Sequence, residues 1–383
     1  MTSKGPLAGL KVVELAGIGP APFAAMLLAD LGADVVRVDR PGGSPLSGDP
    51  RFDLLNRGKR SIVADLKTAA GRDLVLALLD RAEILIEGYR PGVAERLGVG
   101  PSVVQARNPR LVYGRMTGWG QTGPLAATAG HDITYLAVSG ALHGIGRAGG
   151  PPQVPLNLVG DFGGGALYLV VGLLAALRSA AATGRGQVVD AAVVDGAAHL
   201  TTLFHGLAAA GLWQDSRGTN LLDTGAPFYD VYQAADGEYL AVGALEPQFY
   251  ATFVRLLDPG DDLPAQYDRS GWPRLRSAFT AAFARRTRAE WTEVFAGTDA
   301  CVAPVLSPAE AAAHPHLAER GTLTRRDGIV QPAPAPRFSA TPTAPTGPPA
   351  LPGEHTDQIL TDWAIKLPAP DRHSPDRDHA GGG

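Results

Sequence analysis

Along the first third of the chain, short unbroken apolar runs alternate with longer runs of helical spacing. Residues 10–15 (LKVVEL), 33–39 (ADVVRVD), 61–64 (SIVA), 83–87 (EILIE) and 111–116 (LVYGRM) are rich in valine, isoleucine and leucine and bounded by turn residues. Such runs read as strands buried on both faces. Between them, residues 23–31 and 71–80 repeat apolar positions every three to four residues, and proline in the turn 17–22 (GIGPAP) suits a helix start. Strand alternating with helix predicts an α/β fold. The expected architecture is a large Rossmann-like, doubly wound domain with a parallel sheet and ligands at the carboxyl ends of its strands.

The pattern changes past residues 184–190 (GRGQVVD). Residues 199–212 have helical spacing, and residues 227–243 alternate as a hairpin turning at Asp236-Gly237. Helical spacing returns at 248–257, 275–285 and 289–296. This predicts a smaller α+β domain. The division expected is a large domain over 1–195, a linker helix over 196–225 and the small domain over 226–320. A return linker and the C-terminal part of the large domain follow over 321–365, and a disordered tail over 366–383. The proline-rich residues 331–352 fit an extended connector.

Bulk composition narrows the class. With 383 residues, 45% hydrophobic and 19% charged, the chain has a sizeable interior and length for two lobes. A formal charge of -4 without a basic block argues against nucleic acid as a partner. Cys301 is the single cysteine, so an intramolecular disulfide is impossible and a reducing compartment fits. The N-terminus lacks a signal-like apolar core, and the longest apolar stretch, 162–177, is short for a membrane span. The expectation is a cytoplasmic protein without a membrane partner.

Several motifs fall short. Gly17-Ile18-Gly19 with Asp39 imitates a dinucleotide fingerprint, but the third glycine position holds Pro22, so the close helix–strand packing is not specified. His314 and His316 lack the further ligands a zinc site needs, so no metal is expected. No Gly-x-Ser-x-Gly elbow is present.

Two segments carry more. Gly130-His131-Asp132-Ile133-Thr134-Tyr135 and Gly160-Asp161-Phe162-Gly163-Gly164-Gly165 each set an ionisable side chain in a glycine-flanked turn before an apolar run. Asp161 reads as the N-cap of a long apolar helix, and Asp132 as the cap of a helix over 133–142. Bases on opposite sides of a weakly acidic carbon can remove a proton from one face and return one to the other. A neutral imidazole, favoured at a helix start, suits this work. The amides and dipole of the Asp161 helix would stabilise an oxyanion, with the glycines admitting a ligand to the backbone. Arg40, Lys59, Arg60, Lys67, Arg90 and Arg96 fall near predicted strand ends, where they would form a cationic rim for a polyphosphate.

These residues sit within a wider set of motifs: VVELAGIGPAPFAAMLLADLGADVVRVDRP, IEGYRPGVAERLG, RMTGWGQTGP, AGHDITY, NLVGDFGGG, GRGQVVDAA, ADGEYLAVGALEPQFY and CVAPVL. Over residues 7–363 the chain resembles the alpha-methylacyl-CoA racemases of the family III CoA-transferase (CaiB/BaiF-type) superfamily. The resemblance implies interconversion of the 2R and 2S epimers of 2-methylacyl-CoA thioesters, with coenzyme A as part of the substrate and no other cofactor or metal. It implies His131 and Asp161 as the acid/base pair, His131 acting on the S epimer and Asp161 on the R epimer. Glu246 would hydrogen-bond the histidine. Arg40 and the segment Ala64, Asp65, Leu66 and Lys67 would hold the nucleotide part of CoA, with further contacts from Gly88, Tyr89, Arg90 and Arg96. Gly130, Asp132, Ile133, Thr134 and Tyr135 would line the thioester pocket, with Ile18 and Pro20 nearby. It also implies an interlocked homodimer whose active site joins one subunit's large domain to the other's small domain.

The family's methionine-rich acyl surface is expected around residues 199–212, yet this stretch reads HLTTLFHGLAAAGL and the chain has 3 methionines. Leucine, phenylalanine and alanine are less adaptable than a sulfur-lined wall and narrow the range of acyl groups. Two other readings compete. In a CoA-transferase of the same superfamily the aspartate attacks a thioester and forms an anhydride, which needs no second base. In a non-catalytic CoA-binding protein both residues are structural.

Overall fold

The computed structural model describes residues 5–43, 48–343 and 347–366. In chain order its principal elements begin β1 (Lys11–Leu15), α1 (Pro20–Asp30), β2 (Asp34–Asp39), β3 (Arg60–Val63), α2 (Ala69–Leu79), β4 (Ile84–Glu87) and β5 (Val112–Thr117). Next come α3 (Asp132–Val138), a π-helical segment (Leu158–Ala166), α4 (Leu167–Thr183), β6 (Val188–Ala192), α5 (Val193–Leu200) and α6 (Thr202–Ala209). After these lie β7 (Tyr229–Gln233), β8 (Tyr239–Gly243), α7 (Pro247–Leu257), α8 (Trp272–Phe283), α9 (Arg288–Phe295) and β9 (Val302–Pro304).

The six-stranded sheet has the order β3-β2-β1-β4-β5-β6. The pairings of β3 with β2, β2 with β1, β1 with β4 and β4 with β5 are all parallel. The α/β expectation is met. The order reverses at β1, which starts the sheet and has later strands on either side, and this is where doubly wound sheets open a crevice.

The described residues form two compact units, the first within 5–115, 169–189 and 336–366, the second within 116–168 and 190–335. These limits cut the chain at other places than the sequence division. In the first unit, Val13, Leu15, Val36, Val38, Ile62 and Leu85 are buried among the residues of one apolar core. Trp363 joins that core and donates its indole N–H to Asp34 at 2.8 Å, anchoring the returning C-terminal segment.

In the second unit, β7, β8 and β9 pair antiparallel around the turn at Asp236-Gly237, where Gly237 has φ 84. Phe228, Phe253, Phe279, Phe283 and Trp291 fill the core beside this sheet.

Two helical expectations are corrected. The helix read over 199–212 is two helices, α5 and α6, breaking at Thr201. Thr201 Oγ1 donates to Ala198 O at 2.7 Å and Thr202 Oγ1 to His199 O at 2.6 Å, so the hydroxyls take up carbonyls where the helix ends. The apolar stretch read over 162–177 lies within a continuous helical run of 26 residues, Leu158–Thr183, long and apolar enough by composition to cross a membrane, with 39% of its most apolar window buried. Residues 367–383, most of the expected tail, lie outside the described residues.

Candidate active site

His131 is the N-cap of α3 and is exposed. Its backbone N–H donates to Thr134 Oγ1 at 3.0 Å, and that hydroxyl donates back to His131 O at 2.7 Å. Tyr135, one turn into the helix, explains the neighbouring glycines. A Cβ at Gly118 or at Gly130 would collide with the Tyr135 ring. The same ring meets Trp119 edge to face at 4.8 Å between centroids. The Gly118-Trp119-Gly120 loop and the turn before His131 are thus locked together by one aromatic side chain.

Asp161 is half-buried and lies inside the π-helical segment, not at its cap. Asn157 holds the cap position, and Phe162 N–H reaches back to Asn157 O at 3.2 Å, five residues away. Asp132 does not cap α3 either. Its buried carboxylate accepts the backbone N–H of Asp161 at 2.6 Å. Of the backbone amides around Asp161, its own is therefore occupied by a side chain.

The glycines after Asp161 also change role. Gly164 and Gly196 face each other where the π-helical segment crosses α5. A Cβ on Gly164 would stand 2.6 Å from Ala197 N, and one on Gly196 would collide with Gly164 O. Gly164 therefore serves backbone-to-backbone packing, not ligand approach. At Gly160, a Cβ would collide with the Asp132 carboxylate.

Burial, and then the nearby Asp132 carboxylate, push the Asp161 carboxyl above its ordinary range, against the opposing pull of the Asn157 hydrogen bond and of His131. Asp132 is likewise raised by burial, against the amides of Asp161 and Gly160. His131 thus lies within electrostatic reach of the Asp161 carboxyl.

Glu246 is the N-cap residue of α7 and is exposed. Among the described residues of one chain its carboxylate makes no hydrogen bond to His131. The Cys301 thiol is raised by burial and, secondarily, by Glu246.

In the same unit an apolar cavity of about 900 Å3 is lined by Ile145, Val159, Leu200, Phe204, Ala208 and Trp213, among others. Phe204 and Trp213 are in ring contact at 4.7 Å. Val159 stands two residues before Asp161. Leu200, Phe204 and Ala208 belong to the stretch 199–212, where the acyl surface is expected.

The residues read as nucleotide contacts lie in the first unit. Ile18 is 72% exposed and precedes α1, which Pro20 opens. Arg40 follows β2 and is exposed. It lies close enough to Tyr89 to lower the phenol's proton affinity, although burial prevails and raises it. Ala64 and Leu66 are buried in the core, so they offer a ligand only backbone. Asp65 Oδ1 accepts the Lys67 N–H at 3.0 Å, closing the turn that leaves the Lys67 side chain exposed. Gly88, Arg90 and Arg96 are exposed beyond β4, and Tyr89 N–H donates to Glu87 at 2.6 Å.

Two members of the expected cationic rim do not belong to it. Lys59 is buried, paired with Glu14 at 2.7 Å and bonded to Pro22 O and Asn56. Arg60 pairs with Asp34 at 2.6 Å and Asp362 at 2.8 Å. Both precede or open β3, at the amino end of that strand and away from its ligand-facing end. Among the described residues no cluster of three or more histidine, cysteine or acidic side chains is arranged to hold a metal ion.

Residues 7–356 match the model of CoA-transferase family III. The chain is 47% identical over 365 residues to the alpha-methylacyl-CoA racemase of Homo sapiens, covering 94% of each chain. It is 46% identical to that of Mus musculus, covering 94% of this chain and 93% of the mouse protein. Among solved structures, a CaiB/BaiF family protein from Brucella suis superimposes with a TM-score of 0.81 at 26% identity, covering 94% of this chain and 100% of that one.

Proposed function

The chain belongs to CoA-transferase family III, and from that premise we propose that it is an isomerase interconverting the 2R and 2S epimers of 2-methylacyl-CoA thioesters. The observation that carries this reading, beside the identity to the two racemases, is that α3 and the π-helical segment bring His131 within electrostatic reach of Asp161. A transferase needs the carboxylate as nucleophile and has no use for a second base.

His131 or Asp161 removes the C2 proton, and the C–H electron pair passes into an enolate whose charge rests on the thioester oxygen. The other group, already protonated, returns a proton to the opposite face. The thioester C–S bond stays intact, and the pair exchanges roles between the two directions. With the Asp161 N–H occupied, the donors for the enolate oxygen are the opening amides of α3 at Asp132 and Ile133, which lack partners within the helix.

Arg40, Lys67, Arg90 and Arg96 would take the phosphates of CoA and the backbone of residues 64–66 its adenosine part. The cavity that Val159 helps to line would take the acyl chain. A second copy of the chain would supply Glu246 to His131. Support for a dimer comes from the apolar side chains the second unit leaves exposed, including Val138 at 62%, Leu156 at 69%, Leu203 at 57% and Leu212 at 63%.

The test is to incubate the protein with one epimer of a 2-methylacyl-CoA in deuterated water without an acceptor acid. Deuterium at C2 with loss of optical purity is expected. CoA transfer appearing only when an acceptor acid is added would replace the racemase reading by the transferase one.

A further inference from the structure

The π-turn at Asp161 leaves one backbone donor over. In an α-helix Asn157 O would accept the Asp161 N–H, but here it accepts from Phe162. Asp132 takes the freed N–H through Oδ1 at 2.6 Å, and Gly160 N–H also reaches its carboxylate. Asp132 is 8% exposed, and its Oδ2 is buried without a hydrogen-bond partner. An asparagine or serine would accept these amides equally well without burying a charge. The choice of a carboxylate, at that cost, needs a reason.

We infer that Asp132 is a positioning residue for Asp161: its carboxylate anchors the π-turn that presents Asp161 and stands as a like charge beside the Asp161 carboxyl. This rests on the racemase reading and adds a residue to it. An isolated carboxylate is too weak a base for an α-proton, and a neighbouring negative charge strengthens it. The groups facing Asp161 support this assignment. Its own segment offers only the neutral Asn157, and α3 offers His131 and Asp132. From α5, which packs on the segment, Asp195 is exposed and His199 is engaged by the Tyr168 hydroxyl at 2.6 Å. Asp132 is thus the acidic group that acts on Asp161.

The test compares the full-length wild-type protein with D132N, which keeps an oxygen acceptor and removes the charge. A second variant, G160A, keeps the charge but crowds the carboxylate out of place. Expected for D132N are a KM for acyl-CoA within about threefold of wild type, a kcat about tenfold lower at pH 7, and an acid limb of kcat/KM displaced to lower pH. The limb moves in both directions of reaction, because the equilibrium constant ties the two. G160A should lower kcat in the same way. Independently of turnover, 13C NMR of labelled aspartate carboxyls, assigned with D161N, should show Asp161 titrating at lower pH in D132N. An acid limb and an Asp161 titration that stay at the wild-type pH in D132N would overturn the inference, as would a loss explained wholly by a lower melting temperature. A wild type that fails to exchange the C2 proton would instead overturn the racemase reading, while the NMR titration still decides the role of Asp132.

Discussion

Gly196 lies so close to Gly164 that a Cβ on the former would collide with the carbonyl oxygen of the latter. Two backbones in contact leave no soft side chain to yield, so any added carbon must push the π-helical segment away from α5. Gly196→Ala is therefore expected to destabilise the second unit by about 1–3 kcal/mol. Because Asp161 rides on the displaced segment, turnover should fall more than CoA affinity. Thermal melting and separate KM and kcat values check this, and a variant with unchanged kcat would show that the crossing does not hold Asp161 in place.

Glu14 and Lys59 form an ion pair at 2.7 Å in the interior of the first unit, both nearly inaccessible. Burial raises Glu14 and lowers Lys59, each opposed by the attraction of the other. Removing one partner strands the other charge. Lys59→Met is expected to cost about 3–5 kcal/mol, whereas the double variant Glu14→Leu with Lys59→Met should recover most of that loss. Denaturant unfolding of the two variants makes the comparison. A Lys59→Met protein as stable as wild type would return Lys59 to the ligand-facing rim.

These two sites mark what a sequence can disclose. The strands of the sheet were legible, since a buried parallel strand is a run of branched apolar residues, and β1, β2 and β4 begin or end within a residue or so of those runs. His131 and Asp161 were legible as chemistry because ionisable groups in glycine-rich turns are unusual. The use of the surrounding glycines was not legible. A glycine that admits a ligand and one that admits another helix are the same letter, and only the crossing of α5 distinguishes them. Nor does composition disclose a π-turn: the shift from Asp161 to Phe162 as donor to Asn157 is a matter of one hydrogen bond. Lys59 was misplaced because solvent rim and interior differ by where β3 begins, and its partner Glu14 is far away in sequence.

Asp161 holds its proton to a higher pH than an ordinary carboxyl, through burial first and Asp132 second. A base of raised pKa is disabled by protonation at a correspondingly higher pH. The acid limb of kcat/KM should thus lie above the usual carboxylate range, with activity rising with pH through it. Asp161→Asn should remove this limb together with epimerisation. A limb within the ordinary carboxylate range in the wild type would contradict the pairing with Asp132.

His131 is exposed, and its backbone N–H and carbonyl both bond the Thr134 hydroxyl where α3 opens. Truncating the ring should therefore leave the fold intact. His131→Ala is expected to reduce C2 deuterium exchange by at least about 10²-fold while changing CoA affinity little. Exchange assays and isothermal titration with CoA separate the two quantities. Full activity in this variant would exclude a two-base mechanism.

A pocket makes a sharper demand on the acyl group than a flat surface would. Its walls include Leu200, Phe204 and Trp213, whose branched and aromatic side chains repack less readily than unbranched thioethers. Leu200→Trp should narrow the cavity and disfavour long or ring-bearing acyl chains. The ratio of kcat/KM for a short 2-methylacyl-CoA over a long or ring-bearing one is then expected to rise by about 10–200-fold, the range a hydrophobic pocket provides per small change in occupant. Phe204→Ala, which enlarges the space, should move the ratio the other way. Equal and unselective losses for both substrates in both variants would mean that the acyl chain lies elsewhere and that the cavity serves packing alone.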